Sequence, residues 1–218
     1  MNKYLREAIL WVWTLTPMLY LIGIWHELPD LVPTHFGMDG KPNDWSSKST
    51  LFFLVGGMSI GTYLMMLILP KIDPSKRINE MGQKYDSLRH IISFFMMLLG
   101  IYILYAAKAG ELSKPQYLIA IVAALLAMMG NYFQTLRPNY FIGIRTPWTM
   151  SNEHVWKQTH LLAGRLWLAG GLLSLVLALT MELNTVLLSI LGVILFTIVV
   201  VPVALSYWYF QKESTSSK

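Results

Sequence analysis

The sequence contains no cysteine, which excludes disulfide frameworks, thiolate zinc sites, Fe–S clusters and cysteine nucleophiles. Charge is also scarce. Asp, Glu, Lys and Arg make up 13% of the 218 residues, while 55% are apolar. An ordinary soluble domain carries about 25% charged residues, so this chain has roughly half the usual share. That deficit excludes a disordered chain and argues against a water-soluble domain. The 17 basic and 12 acidic residues leave a formal charge of +5. Such an excess suggests nucleic acid unless the charges turn out to be segregated for another reason.

What the chain has in place of charge is long apolar runs. Free of Asp, Glu, Lys, Arg and His are Ala8–Trp25, Ser49–Pro70, Ile91–Ala107, Pro115–Leu136, Leu166–Met181 and Leu183–Gln211. A bilayer core of about 30 Å takes roughly 20 helical residues at about 1.5 Å each. The two shortest runs gain length from flanking residues that snorkel, His90 and Arg89 for one and Arg165 back toward His160 for the other. A soluble bundle would need amphipathic stripes with polar outer faces, and these runs are apolar all round. The sequence predicts an all-α integral membrane protein, a bundle of six transmembrane helices.

The basic residues then set the orientation. With the amino terminus in the cytoplasm, Lys3, Arg6, Lys71, Lys76, Arg77, Lys84, Arg89, Arg137, Arg145, Lys157, Arg165, Lys212 and Lys218 lie inside, against Lys41, Lys48, Lys108 and Lys114 outside. Thirteen against four is a strong positive-inside bias, so both termini are expected in the cytoplasm of a multi-pass plasma-membrane protein. The net positive charge is a topology signal, and no direct nucleic-acid partner is expected. Trp11, Trp13, Trp25 and Tyr207-Trp208-Tyr209 fit aromatic belts at the boundaries. No A-x-A-like site follows the first helix, which is expected to stay as an anchor.

Two segments outside the spans are more than connectors. The extracytoplasmic loop 26–48 is rich in Pro and Gly, and Asp39-Gly40 between short apolar stretches suggests a hairpin-like turn. Its His26, Glu27, Asp30, His35, Asp39 and Asp44 match no standard metal spacing, so no metal and no cofactor are expected. The structured cytoplasmic loop 137–160 holds Pro138, Gly143 and Pro147, which forbid a continuous helix up to Pro147. Ser151, with Glu153 soon after, suggests an N-cap from which one helix runs into the fifth span.

Arg145 in that second loop carries a planar five-donor fork suited to phosphate or carboxylate, and Trp148 offers a stacking face. One reading is a basic-aromatic pocket formed with Asn131, Gln134, Glu153, Trp156 and Arg165, where Arg145 meets an acidic partner, either Glu153 within the loop or an anionic group from outside. The other is an interfacial loop whose Arg and Trp residues anchor it to lipid headgroups. Asn131 and Gln134, at i, i+3 spacing, are expected to face the bundle, because an unpaired amide in hydrocarbon is costly. No Asp, Glu or His is expected within a span, which argues against a proton-coupled pump. Gly57-Met58-Ser59-Ile60-Gly61 reads as a G-x-x-x-G packing face; as a hydrolase elbow it would need a strand-turn-helix context.

The run Ile142-Gly143-Ile144-Arg145-Thr146-Pro147-Trp148-Thr149, followed by Glu153, Trp156 and Lys157, resembles the signature of the SdpI-type bacterial membrane immunity proteins. Asn131, Gln134 and Arg165 fit the same pattern, and Pro33, His35, Phe36, Asp39, Gly40 and Asn43 resemble the uncharacterised segment that commonly precedes it. The resemblance implies one six-span domain over 1–218, with a two-helix unit 1–70 and a four-helix unit 89–211 carrying the motif 142–157. It implies a non-enzymatic protein that protects its producer against a secreted membrane-active peptide toxin and captures a cytosolic autorepressor. The rival reading is a small transporter or lipid-handling protein using the same cytoplasmic-side pocket.

Overall fold

The computed structural model describes residues 2–37, 41–74, 76–112 and 114–216. Among them, six helical spans are long and apolar enough to cross a membrane: Tyr4–Glu27, Thr50–Ile72, Gln83–Ala109, Gln116–Phe133, Glu153–Thr180 and Thr185–Thr215. The elements in chain order are α1 (Lys3–Ile24), β1 (Leu31–Phe36), β2 (Pro42–Ser47), α2 (Thr50–Gly56), α3 (Thr62–Ile72), α4 (Arg77–Glu80), α5 (Gln83–Ala109), α6 (Gln116–Phe133), α7 (Pro147–Ser151), α8 (Glu153–Thr180) and α9 (Thr185–Ser216). Large side chains stay exposed along these helices, among them Phe53, Leu179, Val193 and Phe196. In water such a surface would drive aggregation; against lipid tails it is the expected exterior.

The chain forms two compact units, one from residues 1–68 and 89–121, the other from 69–88 and 122–218. The core of the first unit joins Leu21, Ile24, Leu28, Val32, Leu51, Val55, Leu104 and Ala107. Pro17 inside α1 fits because Gly100 lies against it, where a Cβ would come 2.9 Å from the proline's own Cβ. The expected hairpin is present as the antiparallel pair β1–β2, with bulges around His35. Pro33 is tolerated because each strand of a two-stranded sheet is also an edge strand. The turn residues Asp39 and Gly40 lie outside the described residues.

Two sequence expectations fail. Gly57–Gly61 forms a π-helical turn between α2 and α3, and a Cβ added at Gly57 or Gly61 would meet nothing within 4 Å. The two glycines are therefore not a packing face. The wider turn brings Ser59 inward instead, its hydroxyl donating to the Val55 carbonyl at 2.8 Å. The second failure concerns ionisable groups. The helices run past the charge-free segments, because backbone groups at membrane depth must be bonded within the helix. Glu7, Arg89, His90 and His160 thereby fall inside spans. Arg89 donates from both terminal nitrogens to Glu7, at 2.7 and 3.0 Å, and the Tyr63 hydroxyl donates to the same carboxylate at 3.2 Å. This fork ties α1, α3 and α5 together, and the argument against a proton relay from charge-free runs no longer stands.

In the second unit, the Asp73 carboxylate accepts from the Ile78 N–H at 2.9 Å and starts α4, which buries Ile78 and Met81. Helices α6 and α8 approach until backbones touch. A Cβ on Gly130 would fall within 3 Å of backbone atoms at Gly164, Trp167 and Leu168, and one on Gly171 within 3 Å of Ala123 and Ala127. Small residues thus form the packing seam here, replacing the one expected at Gly57 and Gly61. Helix α9 buries Leu187, Ile198 and Ser206 and leaves most of its remaining surface to lipid.

Candidate functional site

The segment from Arg137 to Asn152 is built by side chains bonding to backbone, since its prolines and glycine prevent a helical ladder. Asn139, 1% exposed, does most of this. Its amide nitrogen donates to the Arg137 and Ile142 carbonyls at 2.9 and 3.1 Å, and its oxygen accepts from the Phe141 and Ile142 N–H groups at 2.9 and 2.7 Å. Gly143 then adopts φ +113°, a conformation that favours glycine, and a Cβ there would strike the rings of His160 and Trp156. The loop needs glycine for both reasons.

His160 is the counterpart of that turn. It is buried in α8, and its Nε2 accepts from the Ile144 N–H at 2.9 Å. Since the amide can only donate, Nε2 bears no proton, and Nδ1–H donates to the Trp156 carbonyl at 2.8 Å. The imidazole stacks on Trp156 at 4.0 Å between centroids, while the Trp156 indole N–H donates to the Leu136 carbonyl at 3.0 Å. One histidine–tryptophan stack therefore holds the loop at its start, through Leu136, and at its middle, through Ile144.

Helix α7 closes the construction. Thr146 caps it by accepting from the Thr149 N–H, Pro147 occupies the first helical position, and the Thr149 hydroxyl donates to the Ile144 carbonyl at 2.9 Å. Trp148 donates its indole N–H to Ser206 Oγ on α9 at 2.6 Å and packs edge-on against Tyr207. The N-cap of α8 is Asn152, accepting from the N–H groups of His154 and Val155, and not Ser151 as the sequence suggested. Ser151 is the last residue of α7, so the cap moves one residue on.

The residues singled out from the sequence divide in two. Gly143, Thr146, Pro147, Trp148 and Trp156 build the loop. Arg145, Glu153, Lys157 and Arg165 are exposed. Arg145 donates to the Tyr140 carbonyl across the turn, so within the loop the bond that fixes it is to backbone and not to Glu153. Asn131 is exposed at the end of α6, about 100° around the helix from Gly130, which faces α8; the expectation that it faces the bundle fails there. Gln134 is half-buried and packs against Gly164. Sequence reasoning missed Asn139, His160 and Ser206, and gave Thr149 no role beyond its place in the signature run. The Pro-Asn pair at 138–139 is a turn signal that could have found Asn139, and the Trp156–His160 spacing of one helical turn could have found the stack.

In the amino-terminal segment, Val32 and Pro33 are buried, Phe36 is half-buried, and His35 bonds the Asn43 side chain across the hairpin. Among the described residues, no group of three or more His, Asp or Glu is placed to hold a metal ion.

Residues 135–209 match the SdpI/YfhL protein family. Over that stretch the chain is similar to it. The SdpI/YfhL segment contains the braced loop, α7, α8 and most of α9, so it coincides with the site built above. Residues 12–58 match a domain of unknown function, DUF1648, which encloses the hairpin. The chain is 27% identical over 200 residues to the immunity protein SdpI of Bacillus subtilis strain 168, covering 89% of this chain and 91% of that one. No solved structure matches. With six apolar spans, this family match and the likeness to SdpI, the chain is a multi-pass bacterial membrane protein.

Proposed function

We propose that this chain is an immunity protein that protects the cell producing it against a secreted, membrane-active peptide toxin, and that its Arg145 loop faces the cytoplasm and captures a cytosolic repressor. The observation that carries the reading is the contrast inside the loop. Buried Asn139, Trp156 and His160 fix a backbone that serves to present Arg145 outward. A guanidinium held by one backbone carbonyl keeps donors free for an anionic group on a partner. Likeness to the immunity protein SdpI over nearly the whole chain supports the protective role. The thirteen-to-four distribution of basic residues supports the cytoplasmic placement. The reading involves binding and no catalytic step.

The test is rescue of a Bacillus subtilis strain 168 derivative lacking its own SdpI, co-cultured with the unmodified strain, at membrane levels matched by blotting. The unmodified chain should raise survival. Arg145→Lys should lower it and Arg145→Ala lower it further, by about tenfold or more in partner affinity, since a charge-assisted bond is worth about 1.5–3 kcal/mol. Lys71→Ala and Lys76→Ala should behave as the unmodified chain. Survival no better than with an empty vector would overturn the immunity reading. Full protection by Arg145→Ala would show the loop to be a lipid anchor.

A further inference from the structure

The first two turns of α8 and the last turns of α9 enclose a cleft of about 280 Å³, lined by His154, Gln158, Trp208, Tyr209, Lys212 and Glu213. Several times the roughly 30 Å³ of a water molecule, it has room for a tetrahedral anion with part of its hydration. Its depth follows from the sequence of α9. The apolar stretch ends at Tyr207-Trp208-Tyr209, the residue types that sit at headgroup level, and Lys212 follows one turn later.

Groups with N–H donors line the cleft. The Lys212 ammonium lies 5.5 Å from the centroid of Trp208, which steers an otherwise mobile cation toward the cleft. Gln158 and His154 meet at 3.4 Å, and His154 Nε2 lies 3.3 Å from the Glu213 carboxylate. An ammonium, an imidazole and an amide therefore share the cleft with one carboxylate, which sits against the imidazole. The Lys212 ammonium and the N–H groups of His154 and Gln158 are donors that an anionic oxygen can accept from, and Glu213 occupies the position such an oxygen would take beside His154. Basic pockets between transmembrane helices at the headgroup level recognise phosphate in this way. We infer that this cleft binds a phosphate group, supplied by an anionic lipid headgroup or by free phosphate, through Lys212, His154 and Gln158, with Glu213 as the internal competitor. The inference goes beyond the immunity reading and does not depend on it.

The test uses the full chain in nanodiscs of phosphatidylcholine doped with phosphatidylglycerol. Retained phosphatidylglycerol is counted by native mass spectrometry after release into detergent, and inorganic phosphate is titrated as competitor. The unmodified chain should retain phosphatidylglycerol, and Lys212→Ala should reduce retention roughly fivefold, the usual effect of one basic residue at a membrane surface. Glu213→Gln should change it in the opposite direction, because it removes the competing carboxylate while keeping the shape. Lys84→Ala, an exposed basic residue outside the cleft, should leave it unchanged. Both cleft substitutions fall on residues that are not buried in α9, so folding is not at stake. Displacement by millimolar phosphate identifies free phosphate as a sufficient ligand, and retention despite it identifies the lipid. Equal retention by the unmodified chain and Lys212→Ala, or weaker retention by Glu213→Gln, would overturn the assignment.

Discussion

The hairpin at 31–47 and the loop at 137–152 pose one problem to the chain and receive different solutions. Each joins two apolar spans, and each is too rich in Pro and Gly for a helix. The hairpin satisfies its backbone by pairing with itself, Leu31 with Ser47 and Val32 with Ser46, and it sinks one side chain, Val32, into the core of its own unit. Its charges are fastened at the rim, Lys48 to Asp30 and Lys108 to Glu27, where solvent screens them. The loop has no strand to pair with. Its carbonyls and N–H groups are met by Asn139, Thr149, His160 and Trp156, of which each is buried. A segment held by buried side chains depends on each of them; a segment held by its own ladder does not. The presented residue, Arg145, is on the first kind of support.

The largest effect expected from this difference is at Gly143. Gly143→Ala places a β-carbon at φ +113° and against His160 and Trp156, two rings already bonded and stacked. Strain of about 1–3 kcal/mol and loss of the Ile144–His160 bond, about 1 kcal/mol more, should lower stability by roughly 2–4 kcal/mol. Limited proteolysis in detergent should cut the variant between Arg137 and Asn152 while leaving α8 intact. A thermal midpoint and cleavage pattern equal to those of the unmodified chain would remove the distinction between the two segments.

A smaller effect is expected at His160. His160→Phe keeps a flat ring on Trp156 but presents no acceptor to Ile144, so a loop N–H loses its partner at a cost of about 1–3 kcal/mol. Hydrogen exchange sharpens the comparison. The Ile144 amide should exchange faster in the variant, with exchange along β1 and β2 unchanged.

Much of this architecture is legible in the sequence because lipid imposes a simple rule. Apolar length decides the spans, and all six can be counted from the apolar runs alone. The motif residues Gly143, Thr146, Pro147 and Trp148 are legible as well, through the resemblance of their run, and Gly143 and Pro147 also as helix breakers. What escapes is non-local. Ser206 receives Trp148 from 58 residues away, and Glu7 meets Arg89 across 82, so neither spacing marks the pair. The π-turn escapes for another reason. Gly57 and Gly61 have the spacing of a packing face, but one extra residue in the turn rotates them outward, and no composition rule registers that rotation. For the loop, the sequence picks out Arg145 and its aromatic neighbours while leaving the buried brace of Asn139 and His160 unmarked. Exposed groups of unusual chemistry stand out in a sequence; the ordinary residues that position them do not.

The smallest effect is expected on the hairpin, at Lys48. Its ammonium meets Asp30 at 3.1 Å, lies 5.1 Å from the Trp25 centroid and reaches the Leu28 carbonyl at 3.5 Å, which on paper is a well-connected residue. Yet the Asp30 side chain is 96% exposed, so the pair is weakened by solvent and salt. Lys48→Met keeps most of the aliphatic stem over the indole and removes only the charge. It should cost no more than about 1 kcal/mol, and the thermal midpoint of the unmodified chain should barely move as salt is raised. Val32→Ala, which leaves every ladder bond in place, should cost more, about 2 kcal/mol, because it removes two methyl groups from a fully buried position. If Lys48→Met proved the more damaging of the two, the hairpin would be held by its charges, and it would depend on single side chains as the Arg145 loop does.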